Sequence, residues 1–523
     1  MKNIFFLIFV ILNCSCNSIK FVNEYSFLNN PTSNSLTDNI NLQNWHNLDP
    51  EIDSIPGTSV ERAYDELLNG LKGKKVIVAV IDTGLDIDHL SLSNNIWINK
   101  DEKLNGKDDD KNGYIDDIYG WNYLGTSYNE TRDMTRILRD NQVDNIKYSL
   151  VEEEIRKEIK KSNEQLNILN YYIQILEFSK GVISENLDNT KFTIEDVNKI
   201  KTEDEKLNRA KNIYIDFESI GYTKEYLNEG IEQYNDFINY HFNIDFNGRT
   251  SNDNIYDIND TDYGDSNINN IKDSESHSTH VSGIISGDRN NKKGNKGINN
   301  LVEIMALRAI PNGDEYDKDV ARAIRYAVDN GAKIINGSFG KYFSSNPEWV
   351  IDAIRYASKK DVLVVAAAGN ESKDLDLLSN DNYPNDQFFN KNEFSDTFIK
   401  VGASTINLNE NFTAYFSNYG KINVDIFAPG VDIYSSVPND KYKFQDGTSM
   451  ASPVVSGIAS LIMSYFPKLS AKKVKEIILK SGIDIDLKIG NLGSNKHFRE
   501  YSKSGKLINA YNALILASKS KRE

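Results

Sequence analysis

Three residues far apart in the chain have the types needed to turn an alcohol into a nucleophile: an acid at Asp82, an imidazole at His277 and a hydroxyl at Ser449. A serine hydroxyl attacks poorly until an adjacent base takes its proton, and that base works best when a third group orients it. Residues 444–467 read F-Q-D-G-T-S-M-A-S-P-V-V-S-G-I-A-S-L-I-M-S-Y-F-P. Gly447 permits a tight turn, and the small and apolar residues that follow predict a buried helix ending at Pro467. Ser449 then sits at a helix amino end, where free N–H groups and the dipole favour negative charge. Read structurally, the same serine is a helix N-cap. Residues 76–88, V-I-V-A-V-I-D-T-G-L-D-I-D, predict a strand buried on both faces that ends in Asp82, with Thr83 and Gly84 as the turn. An acid at such a strand's carboxyl end lies where open α/β sheets place their sites. Residues 276–287, S-H-S-T-H-V-S-G-I-I-S-G, put His277 at the start of another small-residue helix.

The elements that must position these groups follow from the pattern of residues 300–436. Strands are predicted at 302–309, 334–340, 362–368, 398–403, 424–428 and 433–436, and helices at 319–330 and 347–358. Alternation of this kind predicts an α/β fold with a parallel sheet and helices on both faces.

In this order, D-T-G, H-S-T-H-V-S-G and G-T-S-M-A-S-P, together with A-A-A-G-N-E at 366–371, resemble the subtilisin-like serine proteases, the subtilases. The resemblance covers roughly residues 45–125 and 276–510. It implies a three-layer α/β sandwich and a serine endopeptidase that cleaves proteins or peptides through an acyl-enzyme. It implies that Asp82, His277 and Ser449 form the triad, with His280 structural, and that Asn370 and Thr448 serve the oxyanion hole. It also implies that Ser338, Phe339 and Gly340 pair with the substrate backbone, and that Ala366, Ala367, Ala368 and Gly369 wall the pocket for the residue before the cut. Three features depart from the family pattern. Ser278 replaces a usual glycine, Gly337 replaces a bulkier residue, and the segment ahead of the catalytic region is too short for a folding prodomain. The rival reading is a catalytically inactive surface binding protein on the same scaffold.

The remaining regions carry other signals. With 60 Lys and Arg against 76 Asp and Glu, the chain has a net charge of −16, which argues against a nucleic-acid partner. Residues 1–16 read as an export signal: Lys2, then an apolar run over 4–12 that is too short to span a bilayer, then Cys14 and Cys16. Cys16 follows Ser15 and is the preferred lipid anchor, which predicts attachment to a bacterial cell envelope or outer membrane; ordinary signal cleavage is the alternative. With no other cysteine, the mature fold has no disulfide. Residues 17–44 read as a flexible tether, and Ser59 as the cap of a short helix through Leu68. Asp108, Asp110, Asn112, Tyr114 and Asp116 alternate around Gly113 and suit calcium, although no glutamate closes the loop; a solvated acidic turn is the simpler reading.

The first part of the peptidase domain is assigned to 45–125, the second to 276–515 and a tail to 516–523. Residues 126–275 depart most from the family. Apolar stripes at spacings of three, four and seven predict two or three amphipathic helices packed as a hairpin or bundle, with a capping box from Thr193 to Asp196. The bland role for these stripes is self-packing; the sharper one is a cap or flank to the cleft. Residues 243–273 read as a polar loop. His46, His89, His241 and His497 lack a chemical context and are assigned none.

Overall fold

The computed structural model describes residues 42–140, 145–291, 294–387, 392–490 and 496–520. The predicted export signal with Cys14 and Cys16, most of the tether and the end of the predicted tail lie outside the described residues.

The strands are β1 (Val76–Asp82), β2 (Gly120–Asn122), β3 (Val302–Arg308), β4 (Ile334–Gly337), β5 (Leu363–Ala367), β6 (Phe398–Ser404), β7 (Ile426–Pro429), β8 (Ile433–Val437), β9 (Lys441–Gln445), β10 (Ile483–Asp484), β11 (Lys488–Ile489), β12 (Lys496–His497) and β13 (Lys506–Leu507). Among the described residues, nine of them form one sheet in the order β10-β13-β7-β6-β5-β4-β1-β3-β2. All its pairs are parallel except β10 with β13. The alternation along β1 explains the layering. Val76, Val78 and Val80 enter one core, under the helices His277–Ser286, Thr448–Tyr465, Ala471–Ser481 and Ala510–Lys519. Ala79 and Ile81 enter the other, under Asp317–Asp329 and Pro347–Lys359. The predicted α/β sandwich is therefore the observed one. Strand order reverses direction around β1, and that switch point is where such sheets open a crevice beyond their carboxyl ends.

Several local expectations need correction. The strand predicted at 433–436 does not join the main sheet. It pairs antiparallel with β9 as a hairpin that leads into the helix carrying Ser449. Ser59 does not cap a helix with its side chain. Its φ is 58°, and its Oγ accepts instead from Asn509 Nδ2 at 2.7 Å, tying this segment to the last helix. That helix runs to Lys519 with Ile515 and Ala517 buried, so the first part of the predicted tail belongs to the core.

Residues 126–275 contain the helix Asp133–Arg139, one long helix Asn145–Leu187 with Glu205–Ser219 and Lys224–Asp236 packed along it, and a short helix Ile194–Lys199 packed against Glu205–Ser219. Leu176, Ile183, Val197, Leu207, Ala210, Tyr214 and Leu227 share a small core of their own, as the stripes required. The Thr193–Asp196 capping box forms, with Asp196 N donating to Thr193 Oγ1 at 3.3 Å and Thr193 N to Asp196 Oδ2 at 3.1 Å. The polar stretch at 243–273 is not merely solvated. Arg249 pairs with Asp253 at 2.9 Å and with Asp319, Lys318 pairs with Asp253 at 2.9 Å, and all four side chains are buried. At the base of the segment, Asn122 and Asp265 exchange both backbone hydrogen bonds at 2.9 Å, and Thr250 N donates to Ser127 Oγ at 2.9 Å.

Candidate active site

Asp82 closes β1 at the switch point and is 1% exposed. Its Oδ1 accepts from Thr83 N at 2.7 Å and lies 2.7 Å from His277 Nδ1. A carboxylate can only accept, so Nδ1 carries the proton and Nε2 is left as the acceptor. Burial alone would lower the imidazole pKa. The Asp82 charge and hydrogen bond outweigh it, and the net shift is upward. His280, three residues on, is the opposite case. It is buried with Nε2 beside the Lys443 carbonyl at 3.0 Å, and burial pushes its pKa down to about 3, which suits a neutral structural role.

The turn after Asp82 is fixed from outside. A Cβ on Gly84 would lie 2.5 Å from Asn270 Cα, so only glycine fits this close approach. Ser278 needs none of the backbone freedom lost with glycine. It lies in the first turn of a helix, and its N–H donates to Thr83 Oγ1 at 3.1 Å.

Ser449 is the second residue of the helix Thr448–Tyr465, and its Oγ donates to the Ser338 carbonyl at 2.9 Å. Pro453 lies inside that helix and supplies no N–H to the Ser449 carbonyl four residues back. That carbonyl instead accepts from Ser338 Oγ at 2.9 Å. Ser338 in turn accepts from Asn336 Nδ2 at 3.0 Å, and Asn336 Oδ1 accepts from Ser456 Oγ at 2.8 Å. The end of β4 and the first turns of the helix are thus laced together around the predicted nucleophile.

Asn370 is exposed, and both lone pairs of its Oδ1 are used, by Thr448 N and Thr448 Oγ1, each at 2.9 Å. Thr448 Oγ1 accepts from Gly369 N at 3.0 Å. This network orients the amide so that its NH2 group is the end left to donate.

The predicted substrate contacts divide. Ser338 is buried in the network above, whereas Gly340 is exposed, and among the described residues no backbone group pairs with Phe339 or Gly340. Gly337 is explained by Phe339: a Cβ there would lie 3.0 Å from the Phe339 ring, which fills the space a larger side chain would take. Ala366, Ala367 and Ala368 are 0%, 4% and 0% exposed. Ala366 and Ala368 belong to the two cores, so their methyl groups are not available to a cleft, which is left the backbone of this stretch, Ala367 and Gly369.

In the acidic loop, Glu102, Asp108 and Asp110 bring carboxylate oxygens within 4.8 Å of one another. Their donor set, hard oxygens from three acids, suits calcium. Glu102 escaped the sequence reading because it precedes the repeat; it is buried and also accepts from Asp109 N, Asp110 N and Asp116 N. Asp116 does not join this set. Its Oδ1 accepts from Asn105 N at 2.8 Å and its Oδ2 from Gly106 N at 3.0 Å. Asn112 Oδ1 accepts from Tyr114 N at 2.8 Å, and the Tyr114 hydroxyl accepts from Arg322 at 3.0 Å.

Residues 73–502 match the family model described as the subtilase family. The chain belongs to the subtilase family. The thermophilic serine proteinase of Bacillus sp. (strain AK1) is 36% identical over 261 residues, 50% of this subtilase and 55% of the relative. The cell wall-associated protease of Bacillus subtilis (strain 168) is 35% identical over 234 residues, 45% of this chain and 24% of the relative. Thermitase of Thermoactinomyces vulgaris is 36% identical over 189 residues, 36% and 61% of the two chains. The subtilase thus spans about half the length of the first of these relatives and a quarter of the second.

Two residues that sequence reasoning missed complete the frame. Glu275 Oε1 accepts from Gly84 N and from Arg308 Nε, each at 2.8 Å, and its Oε2 from Ile271 N at 2.6 Å. Arg308 is 1% exposed and also holds Asn122 Oδ1, Gly125 O and Ser127 O. The pair clamps the Asp82 turn to the end of β3 and to the base of the helical segment.

Proposed function

We propose that this subtilase is a serine endopeptidase that hydrolyses peptide bonds in proteins. The single observation that carries the reading is the 2.7 Å contact from Asp82 to His277, made at the switch point of a parallel sheet with Ser449 on an adjoining helix amino end. In the reaction the Ser449 hydroxyl turns from the Ser338 carbonyl to His277 Nε2 and gives up its proton as it attacks the substrate carbonyl. Asp82 holds the imidazole in the required tautomer and stabilises the imidazolium. The Asn370 NH2 group and the Ser449 N–H take the developing oxyanion, in the field of the helix amino end. His277 then protonates the leaving amine, and water releases the acyl-enzyme by the same steps in reverse.

A fluorophosphonate probe tests this directly. Wild type is expected to be labelled at Ser449, and Ser449→Ala not at all. A folded wild type that resists the probe would favour the inactive binding protein.

The acid set of Glu102, Asp108 and Asp110 supports a structural calcium ion, which would relieve their mutual repulsion. Adding a chelator is then expected to lower the melting temperature of wild type but not of an Asp108→Asn/Asp110→Asn variant. Equal shifts in both would remove this site. We also propose that the chain is exported and lipid-anchored through Cys16. Palmitate incorporation by wild type and its absence in Cys16→Ala is the measurement, and incorporation unchanged in that variant would refute it.

A further inference from the structure

We infer that a groove between the helical segment and the β8–β9 hairpin binds the part of the polypeptide substrate that lies beyond the cut, and that it favours a basic side chain there. The inference rests on the endopeptidase reading. The groove has a volume of about 970 Å³, and the residue before His277, Ser276, is part of its lining. That volume is at the upper end of what single ligand sites enclose, and the groove is open along its side, which suits a length of extended chain.

Sheet order says which half of a substrate would enter. Relative to Asp82 at the end of β1, the ends of β4 and β5 carry Gly340 and Asn370 on one side. Residues 311–313 after β3 and Tyr128 after β2 line the groove on the other. A chain whose acyl half pairs along Phe339 and Gly340 must leave past His277 toward β3 and β2.

The charge near His277 sets the preference. Glu232 and Asp236 lie one turn apart on the helix Lys224–Asp236, and both line the groove with Asp273. Glu232 and Asp273 are exposed and, among the described residues, make no ion pair, while Asp236 accepts from Asn312 Nδ2 at 2.8 Å. Most cations of the lining are already engaged: Lys443 with Glu229 at 2.9 Å and Arg132 with Asp314 at 3.0 Å, leaving Lys441 on the hairpin wall. The Tyr128 hydroxyl pKa is raised, by burial first and then by Glu275, Asp236 and Glu232, which agrees with a negative local field. Beside this end, and outside the lining itself, Lys272 Nζ lies 4.0 Å over the Tyr128 ring.

The test uses internally quenched peptides that share one acyl-side sequence and carry Lys or Glu at the second, third or fourth residue after the cut. Wild type is expected to show kcat/KM about five- to tenfold higher for the Lys peptide at the favoured position, falling with added salt. In Glu232→Gln/Asp273→Asn the ratio is expected to approach one, and in Glu232→Lys/Asp273→Lys to invert. Because each ratio is taken within one variant, partial loss of folded protein does not affect it. Equal rates for the two peptides in wild type, or a preference that both double variants retain, would overturn the inference. A short peptide anilide with no residue beyond the cut separates the two readings. Its Ser449-dependent cleavage without any Lys preference on the longer peptides refutes the groove's role alone, whereas no Ser449-dependent cleavage of any substrate removes both.

Discussion

Asp82→Asn is expected to lower turnover by about 10⁴-fold, the effect seen when the acid of a serine-protease triad becomes an amide. The contacts give the reason. Oδ1 serves Thr83 N and His277 Nδ1 together, while Oδ2 is buried with no partner among the described residues. An asparagine therefore faces two poor arrangements. Keeping its oxygen in the shared place buries an unpaired NH2 group where Oδ2 was. Reversing the amide sets N–H against Nδ1, moves the imidazole proton to Nε2 and removes the acceptor that Ser449 needs. Either way the imidazolium formed during attack loses its counter-charge. The pH profile carries the same information. His277 acts as a base only when neutral, and its raised pKa places the acid limb of wild-type kcat/KM above the ordinary imidazole value of about 6.5. Without the Asp82 charge only burial remains, so the acid limb of the residual activity should move down. A fall of less than tenfold, or an acid limb that does not move, would mean that Asp82 does not govern His277.

Lys341→Met should destabilise the fold by about 3–5 kcal/mol, the range for removing one partner from a buried ionic cluster. Lys341 is 3% exposed, and its ammonium lies 2.7 Å from Asp133, 2.9 Å from Asp317 and 2.9 Å from the Glu315 carbonyl. Arg136, also buried, shares Asp133 at 3.2 Å. Burial alone would raise the Asp133 pKa. Lys341 and Arg136 reverse that and hold it down at about 2. A carboxylate with a depressed folded pKa adds stability that is complete above its unfolded value, about 3.9, and is lost as pH falls toward the folded one. Without Lys341, the larger of the two lowering charges, that contribution shrinks to what Arg136 and Ser345 supply. The gap between wild type and variant should therefore be widest near neutrality and narrow as pH drops from about 4 toward 2. Urea midpoints measured across that range check it, and a gap that stays constant would show that lost packing, not charge, sets the penalty. Since Lys341 directly follows Gly340, the variant should also weaken binding of peptide substrates more than it slows their turnover.

The positions of Asp82, His277, Ser449 and Asn370 were legible because each stands at the end of an element whose apolar or small-residue pattern is unambiguous. The helices of residues 126–275 were legible for a related reason: spacing of three and four reports which face must be covered, and two small cores cover it, one internal to the segment and one that also takes in Phe343. What joins these parts was not. Glu275 and Arg308 carry no motif, and Glu275 lies in a polar stretch where an acid reads as solvated. The usable signal was Arg308 itself, a cation closing the apolar run of β3 that must find an acid if buried. Arg249, Asp253 and Lys318 were passed over for the same reason. Gly337 read as a departure from the family pattern because the ring that fills its space belongs to Phe339, two residues on, and only the backbone exit from β4 folds that ring back. Ser59 had the residue type of a cap but not the backbone angle, which no local pattern announces.

Thr250 and Ser127 touch, and Asn122 and Asp265 are paired like neighbouring strands, so the long excursion between them leaves and re-enters the catalytic body through a single doorway. Asp133, Arg136 and Arg249 belong to the buried ion pairs of the body, so the exchangeable part is what lies outward of Arg139 and Phe246, which are tied by a 2.9 Å hydrogen bond. A different module whose two termini are equally close could be spliced between Arg139 and Phe246 without rerouting the strands that carry Asp82 and Arg308, and recognition could then diversify while the chemistry stays in place.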